Sequence, residues 1–198
     1  MAENRDRRDL LRDTAIEVLA QQGGRGLTHR AVDREAGLPE GTAKNYFPSR
    51  DALLQAAAER CVERYWTDLR QAQATTISGR EQLAALLRAL IDRALTVNRS
   101  RILAYLELHA EAARSPEVRQ TLAELTRLDL ALHLEAHEAA GLPVTRRSAA
   151  TVTMCLNTAL IYLLTQPQET LEAYGLADLD TFVTDLLDTA YPDGAGVG

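Results

Sequence analysis

The amino-acid sequence predicts an all-α protein. Its 198 residues are rich in alanine, leucine, arginine and glutamate, all of which favour helices. No stretch alternates apolar and polar residues as a half-buried β-strand does. Glycine and proline divide the chain into about nine segments in which apolar residues recur every three or four positions. We therefore expect a head of about three helices followed by a C-terminal bundle of about six.

Two short helices are predicted near the N-terminus. Thr28 is a suitable N-cap for a helix from His29 to Ala36, and Gly37 suits the left-handed position that ends it. Pro39 can open the next helix, which extends from about Glu40 to Phe47. Two helices joined by a tight glycine-containing turn form a helix-turn-helix, whose second helix can enter the major groove of DNA.

Glycine, proline and short polar runs delimit the other helices. The stretch 168–177 is predicted to be a connection without a helix. We expect a helix-turn-helix DNA-binding domain at 1–48, a helical body at 49–191 and a disordered tail at 192–198. The approximate bounds of the predicted helices are 5–22, 29–36, 40–47, 49–74, 81–97, 101–114, 117–140, 145–166 and 178–191.

The charge distribution is compatible with DNA binding, although the net charge of the chain is −6. Residues 1–50 carry nine basic and eight acidic side chains, whereas the remainder carries 13 basic and 20 acidic ones. The head is therefore close to neutral and the body is acidic. Binding to phosphates requires a basic contact face rather than a basic protein, so the acidic body does not exclude DNA.

The composition also indicates a cytoplasmic protein without a metal or another cofactor. No run of about 18 apolar residues could span a membrane, and the N-terminus is too charged for a secretory signal. Cys61 and Cys155 lack metal-site spacing, so we expect both to be small buried residues. His133 and His137 lie one helical turn apart, but no third ligand is apparent and we expect a solvated face. The sequence contains no catalytic triad spacing and no cofactor motif, so no catalytic residue is predicted.

The second helix of the pair carries the residues expected to read DNA. Asn45 can pair with the edge of adenine, and Lys44, the only lysine in the chain, can reach guanine or a phosphate. Thr28 lies at a helix N-terminus, where backbone N–H groups can bind a phosphate oxygen. Phe47 is expected in the core as a bulky anchor, whereas Tyr46 could serve either the core or DNA. The predicted DNA contacts are Thr28, Pro39, Glu40, Gly41, Thr42, Lys44, Asn45, Tyr46 and Arg50.

Two charged residues flank this predicted DNA-reading face. Arg50, near the start of the following helix, is expected to hold a phosphate. Glu40 would repel a phosphate, so its presence needs another explanation. It could accept a hydrogen bond from the amino group of cytosine, but we favour an interaction with the helix N-terminus.

The stretch from Leu27 to Leu54 also carries a family pattern. It contains Gly-x-Pro-x-Gly-Thr, then Asn-Tyr-Phe, then Pro-Ser-Arg-Asp-Ala-Leu-Leu. Together these residues resemble the DNA-binding head of the tetracycline-repressor-like (TetR) regulators, over about residues 10–54. Many members have Ala where Asp33 stands, a bulky aliphatic residue where Ala43 stands and Tyr where Lys44 stands. The resemblance implies a helix-turn-helix head on an all-helical body.

Polar side chains interrupt the apolar faces of the predicted body. His109 shares a face with Ile102 and Tyr105, and Asn157 follows Leu156 on a strongly apolar helix. An apolar cavity with a few polar groups suits a small molecule, although each polar group could be an ordinary hydrogen-bonded core residue. We expect a cavity bounded by the fourth to eighth helices and lined by some of Trp66, Leu90, Tyr105, His109, Leu125 and Asn157.

Small and apolar residues on the last two helices would let neighbouring helices approach closely. Packed against two-fold related copies, these helices would form a four-helix interface; alternatively, the same residues form an ordinary intramolecular core. The resemblance implies a dimer, because family members dimerise through these helices. The predicted interface residues are Ala149, Thr153, Leu179, Phe182, Val183 and Leu186.

These expectations describe a homodimeric transcription regulator in which residues 49–191 form the ligand-binding and dimerisation domain. It would act as a repressor that a small hydrophobic ligand releases from a palindromic operator. Its partners would be double-stranded DNA, a small-molecule effector and a second copy of itself, with no membrane. One alternative is an all-helical carrier or enzyme for a hydrophobic small molecule, and another is a constitutive DNA-binding regulator without a ligand.

Overall fold

The structure is a computed structural model that describes residues 2–72 and 77–192. All regular elements in those ranges are helices, so the all-α prediction is confirmed. The predicted tail falls almost entirely on residues 193–198, which lie outside the described residues. The described helices are α1 (Ala2–Gly26), α2 (His29–Glu35), α3 (Thr42–Tyr46), α4 (Arg50–Ala72), α5 (Arg80–Leu95), α6 (Arg99–Ala112), α7 (Pro116–Ala139), α8 (Arg146–Thr165), α9 (Gln168–Ala173) and α10 (Leu179–Ala190).

The structure corrects the helix predictions at two places. Helix α3 begins at Thr42, so Pro39 does not open it, because Gly41 adopts a left-handed φ of 93° outside the helix. Helix α9 lies where a connection was predicted. Pro167 precedes α9 with an extended backbone, and Gly175 follows it with φ of 71°, so the short helix has ordinary start and stop residues.

The described chain divides into two compact units. Unit 1 contains Met1–Gln73 and Arg99–Leu125, and therefore holds α1 to α4, α6 and the first part of α7. Unit 2 contains Ala74–Asn98 and Thr126–Gly198, and holds α5, the rest of α7 and α8 to α10. Helices α4 and α6 thus belong to the same compact unit as the three N-terminal helices. The functional division after residue 48 stays a prediction.

Unit 1 is built around α1. Its residues Leu11, Ile16 and Leu19 are fully buried together with Val32 of α2 and Leu53 of α4. Burying one such aliphatic side chain stabilises a fold by about 1.5–3 kcal/mol. Helix α1 packs against α2, α4 and α6, so the position of the short helix pair is fixed relative to both long helices of the unit.

Charged side chains also join α1 to α4. Arg12 is 8% exposed, and its guanidinium donates to both carboxylate oxygens of Glu63, at 2.7 and 3.0 Å. Arg60 donates to Asp13 in the same two-pronged manner, at 2.8 and 3.0 Å. Burial alone would raise the pKa of Glu63, but hydrogen bonds from Arg12 and Arg60 outweigh it and the pKa lies below its ordinary value.

Unit 2 has a separate apolar core made by α5, α8 and α10. Leu83 and Leu87 of α5, Val152 of α8 and Leu187 of α10 are essentially fully buried in it. Arg80 connects the ends of two of these helices, because its guanidinium donates to the carboxylate of Asp188 and to the backbone carbonyl of Tyr191.

Helix α8 is a long apolar helix of unit 2. Among the described helices it alone has the length and composition of a membrane-spanning segment, at 20 residues. Its buried residues, including Ala149, Val152 and Ala159, face the interior of the unit, and α5 and α10 pack against it. A core helix of a folded bundle has this same composition, so the helix is weak evidence for a membrane.

Candidate nucleic-acid interface

Helices α2 and α3 form the predicted helix-turn-helix. The hydroxyl of Thr28 accepts a hydrogen bond from the N–H of Ala31 at 3.1 Å, which confirms the predicted N-cap of α2. Gly37 adopts a left-handed φ of 64° after α2, as the sequence predicts. The chain then turns through Pro39 and Gly41 into α3, which packs against α2.

Two side chains of α2 bind the two ends of α3. The carboxylate of Asp33, which is 2% exposed, accepts from the N–H groups of Gly41 at 2.8 Å and Ala43 at 2.7 Å. At the other end, Nε2 of His29 lies 2.6 Å from the carbonyl oxygen of Phe47, which can only accept, so Nε2 is the donor. The sequence alone assigned neither residue a role. The unusual acid at position 33 was the available signal.

The exposed side chains of α3 include the two that were predicted to read bases. Lys44 and Asn45 are both exposed, and they lie between the two anchored ends of the helix. Thr42 is half-buried, and its hydroxyl donates to the carbonyl of Pro39 at 2.6 Å. An exposed amide and an exposed ammonium on a short helix are suited to the donor and acceptor pattern of the major groove.

Aromatic residues complete the C-terminal end of this segment. Phe47 is 2% exposed, so the predicted core anchor is confirmed. Tyr46 is half-buried against the same core, with its ring centroid 6.4 Å from that of Phe47. The guanidinium of Arg8 from α1 lies over the ring of Phe47, 5.8 Å from its centroid. A basic side chain of α1 is therefore located next to the end of α3.

Glu40 has a partner that the sequence did not suggest. Its carboxylate lies 2.5 Å from Nε of Arg30 on α2, and both side chains are largely exposed. This position precedes α3, because the helix begins two residues later. In this structure Glu40 therefore neutralises a nearby arginine.

Arg50 is held by groups inside unit 1. Its Nη2 donates to the backbone carbonyl of Gly24 at 2.5 Å and to the carboxylate of Glu111 at 3.2 Å. The N–H of Gly24 donates in turn to Glu107, at 2.7 Å. Gly24 is thus bound on both sides by residues of α4 and α6. A phosphate contact by Arg50 would require its guanidinium to leave these partners, and that contact stays a prediction.

The residues predicted to line an effector cavity occur in both units. Tyr105 is half-buried in unit 1, and its ring meets that of His109 edge-on at 4.2 Å between centroids. His109 is exposed and hydrogen-bonds the carbonyl of Tyr105. In unit 2, the exposed Asn157 donates to Asp129 at 3.2 Å. Their common role stays a prediction. Unit 1 contains Trp66, Tyr105, His109 and Leu125, and unit 2 contains Leu90 and Asn157.

The residues predicted for a dimer interface are largely inside unit 2. Ala149, Thr153 and Val183 are at most 5% exposed within the single chain. The other three, Leu179, Phe182 and Leu186, are half-buried against the same core. These residues therefore contribute to the intramolecular core, which was the alternative interpretation, and their role in dimerisation stays a prediction.

An open apolar groove lies on the outer side of the same helices. It has a volume of about 300 Å³ and is bordered by residues of α8, α10 and the segment between them. Met154 is 69% exposed on its rim, and Tyr174, 62% exposed, packs edge-on against Tyr162. Cys155 lines the groove and is half-buried, so the prediction that it would be a buried core residue is wrong.

The sequence predicted a solvated face for the two neighbouring histidines of α7. That prediction is wrong, because neither histidine is exposed. His137 is fully buried, with Nδ1 2.6 Å from the hydroxyl of Tyr191. His133 is half-buried, with Nδ1 3.4 Å from Nε2 of His137. Sequence spacing could not reveal this arrangement, because the partner tyrosine is 54 residues away.

Two family models match this chain. The model described as bacterial regulatory proteins of the tetR family matches residues 11–57, which include the whole helix-turn-helix. The model described as the tetracyclin repressor-like C-terminal domain matches residues 78–189, more than half of the chain. The head and the body are therefore recognised separately as parts of the same family.

Individual relatives agree with these matches. The HTH-type transcriptional regulator BetI of Rhizobium meliloti (strain 1021) is 33% identical over 116 residues, which are 59% of this chain and 57% of BetI. The chain thus spans a little over half the length of this curated relative.

Solved structures match over almost the whole chain. The multidrug binding protein EbrR, complexed with imidazole, is 26% identical with a TM-score of 0.68, covering 96% of this chain and 97% of EbrR. A TetR-family member from Streptomyces coelicolor A3 is 25% identical with a TM-score of 0.67, covering 94% and 98%. EbrR has also been solved with ethidium, at 25% identity. This chain therefore belongs to the TetR family of bacterial transcriptional regulators, whose members bind DNA and small-molecule ligands.

Proposed function

We propose that this protein is a homodimeric, cytoplasmic repressor that leaves a palindromic operator when a small molecule binds its body. The observation that carries this proposal is the exposure of Lys44 and Asn45 on a short helix whose ends are both anchored. A regulator needs such a rigid element with free polar side chains, because base edges are recognised by hydrogen bonds of fixed geometry. We therefore favour a DNA-binding regulator over an enzyme or a carrier.

We propose that α8 and α10 supply the dimer interface through their outer surface. Exposed apolar side chains support this, because Met154 and Tyr174, which line the groove, are 69% and 62% exposed and Ile161 of α8 is 39% exposed. Large apolar side chains that are exposed together are common where a second copy packs. The half-buried Phe182 of α10 lines the same groove and would also reach a partner.

We propose that the DNA contacts come from the anchored segment. Lys44 and Asn45 would contact base edges, and Thr42, Tyr46 and Thr28 would contact the backbone of DNA. Pro39 and Gly41 would bring the chain close to DNA without side chains that obstruct it. The pairing of Glu40 with Arg30 supports a smaller role for that carboxylate, since its charge is already compensated.

We propose an effector site in unit 1 that includes Trp66, Tyr105 and His109. Trp66 and Tyr105 are half-buried, and flat aromatic groups of this kind bind planar or cationic molecules. EbrR, which is related over nearly its whole length, has been solved with imidazole and with ethidium. An aromatic nitrogen compound is therefore the first effector class to test.

A gel-shift experiment tests the function directly. The full-length protein is incubated with the DNA upstream of its own coding sequence and with a scrambled duplex of the same composition. We expect preferential binding to the upstream DNA, which imidazole or ethidium would weaken. Ethidium also intercalates into DNA and changes its mobility in a gel. Fluorescence anisotropy therefore serves as a second measurement of binding that does not depend on mobility. Equal binding to both duplexes at every salt concentration would contradict a sequence-reading regulator.

A thermal-shift titration separates the ligand-responsive repressor from a constitutive DNA-binding protein. Any compound that binds only the folded body raises its melting temperature by mass action. If it also weakens DNA binding, DNA must weaken its binding by the same factor. A compound that binds the body but leaves operator affinity unchanged would favour the constitutive regulator.

A further inference from the structure

The shortness of α3 makes its stability dependent on other parts of the head. The helix contains five residues, Thr42 to Tyr46, which is barely more than one turn. A single turn does not hold its own conformation in water, because nucleating a helix fixes several residues for one hydrogen bond. The orientation of Lys44 and Asn45 must therefore be imposed by contacts outside α3.

Asp33 provides the contact at the start of α3. One carboxylate oxygen accepts from the N–H of Gly41 and the other from the N–H of Ala43, so both oxygens are bound to the backbone that enters the helix. The two N–H groups are ones that a helix start leaves without an internal partner. Because Asp33 is 2% exposed, water does not compete for these bonds, and losing one would leave a buried polar group unsatisfied.

His29 provides the contact at the end of α3. Its Nε2 donates to the carbonyl of Phe47, the residue that follows the helix. His29 and Asp33 are four residues apart and therefore project from the same face of α2. Helix α2 thus holds α3 at both ends with two side chains. The residues that face solvent between these ends are Lys44 and Asn45.

We propose that Asp33 and His29 are positioning residues that set the sequence selectivity of α3. The proposal rests on the proposed function, since it concerns how that helix reads DNA. Contacts to bases require an exact orientation of the helix, whereas contacts to phosphates tolerate displacement and carry no sequence information. Loosening α3 should therefore remove discrimination between DNA sequences before it removes general affinity for DNA.

The test compares Asp33→Asn with Glu35→Gln. Both variants remove one negative charge from α2, but Glu35 is exposed whereas Asp33 is buried. The amide of the introduced asparagine keeps one oxygen that can accept from a backbone N–H. Its NH₂ group replaces the other oxygen and cannot accept from the second N–H. The probe is a duplex that the wild-type protein selects from a random-sequence library, and the reference is its scrambled form.

We expect Asp33→Asn to weaken binding to the selected duplex about tenfold, with binding to the scrambled duplex and the salt dependence unchanged. Glu35→Gln should leave the ratio of the two affinities at its wild-type value. An unchanged ratio of the two affinities in Asp33→Asn would overturn the proposal. A general loss of stability has no sequence preference, so it would weaken binding to both duplexes equally and leave that ratio unchanged.

His29 extends the test to the other end of the helix and decides the matter if Asp33→Asn does not fold. Gln places an amide N–H near the position of Nε2, whereas Leu removes the donor. We expect His29→Leu to lower the ratio of selected to scrambled affinity and His29→Gln to restore most of it. Equal ratios in these two variants would contradict a role for the hydrogen bond to Phe47.

Amide hydrogen exchange reports the geometry without DNA. In Asp33→Asn the amides of Gly41 and Ala43 should exchange faster, while amides in the buried part of α1 keep their wild-type rates. Faster exchange throughout unit 1 would show general destabilisation instead and would overturn the proposal. If the wild-type protein selects no duplex, the proposed function fails; if it selects one and the variants keep its selectivity, only the positioning role fails.

Discussion

The hydroxyl of Tyr191 lies 2.6 Å from Nδ1 of His137, so the residue after α10 is hydrogen-bonded to the buried face of α7. Both residues are at most 1% exposed. Burial, with a smaller contribution from the neighbouring His133, lowers the pKa of His137 to about 4. Burial also lowers the pKa of His133. His137 therefore remains neutral in the folded state well below the ordinary titration range of histidine, and the pKa of His133 is shifted in the same direction.

Acid should destabilise unit 2 through His137. The unfolded chain takes up a proton near the ordinary histidine pKa of 6.5, whereas the folded chain does so only when the pH approaches the lowered pKa of about 4. Between these values the unfolded state binds more protons, so the free energy of unfolding falls as pH falls. For His137 the full effect amounts to about 3 kcal/mol. Urea denaturation followed by circular dichroism between pH 7 and pH 4 would measure it.

Comparison with a variant isolates the contribution of His137 to the pH dependence of the unfolding free energy. His137→Gln should flatten the dependence of unfolding free energy on pH, whatever its effect on stability at pH 7. His109→Gln is the matched control, because it replaces a histidine that is exposed and lies outside unit 2. The same carboxylates are present in all three proteins. An identical slope in His137→Gln and wild type would exclude the histidine as the source.

The base-reading role proposed for Lys44 and Asn45 predicts large losses of DNA affinity from small changes on α3. Lys44→Ala or Asn45→Ala should each weaken binding to a selected operator by about 1–3 kcal/mol. Both side chains are exposed, so neither change should affect folding. Fluorescence anisotropy against several salt concentrations distinguishes the contact type, since losing a phosphate contact reduces the salt slope by about one unit. Unchanged affinity in both folded variants would remove α3 from the interface.

Arg50 should contribute to stability within unit 1. Its guanidinium binds the carbonyl of Gly24 and the carboxylate of Glu111, and that carboxylate is only 17% exposed. We expect Arg50→Ala and Glu111→Gln each to lower the free energy of unfolding by about 1 kcal/mol. Their double variant should lose less than the sum of the two, because the partners share one interaction.

The same Arg50→Ala variant tests the predicted phosphate contact separately. If the slope of log affinity for DNA against log salt concentration falls by about one unit in the folded variant, the phosphate contact is established. A slope equal to that of the wild type would leave Arg50 with an internal role only. Glu111→Gln is the control, since it removes the acidic partner and keeps the guanidinium.

Charge placed on the outer surface of α8 should prevent dimerisation. Met154→Arg and Ile161→Arg alter exposed apolar residues, so the fold of unit 2 should survive. Burying an unpaired charge in an interface costs several kcal/mol, and we expect monomers in light scattering and loss of operator binding. Ala89→Arg on α5 introduces the same charge at another exposed position of unit 2 and should leave the assembly intact. A folded wild-type monomer at micromolar concentration would contradict the interface.

The fold was predictable because glycine, proline and apolar spacing mark its helices. Pro116 begins α7 and Gly141 follows it with a left-handed φ of 73°, close to the predicted break points. The short helix α9 was missed because Pro167 was interpreted only as the end of α8. A proline ends one helix and can equally precede another, and six residues are too few for apolar periodicity to decide.

The candidate site was predictable only where it depends on residues close in sequence. The turn at Gly37 and the exposure of Lys44 follow from the local pattern. The contacts of Arg50 with Gly24 and Glu111 join residues that are 26 and 61 positions apart, and no sequence spacing encodes them. Burial of Ala149 inside the chain was similarly hidden, because an apolar helix face looks the same whether it packs internally or on a partner.

The proposed dependence of α3 on α2 would limit how DNA specificity can be transferred between proteins of this family. A segment containing only residues 39–47 carries the side chains proposed to read bases but neither His29 nor Asp33. Grafted onto a relative with Ala in place of Asp33, it would begin without acceptors for two of its N–H groups. On this proposal the transferable recognition module would be the pair of helices from Thr28 to Phe47. Directed evolution of new operator specificity should vary the exposed positions of α3 while keeping both anchoring residues.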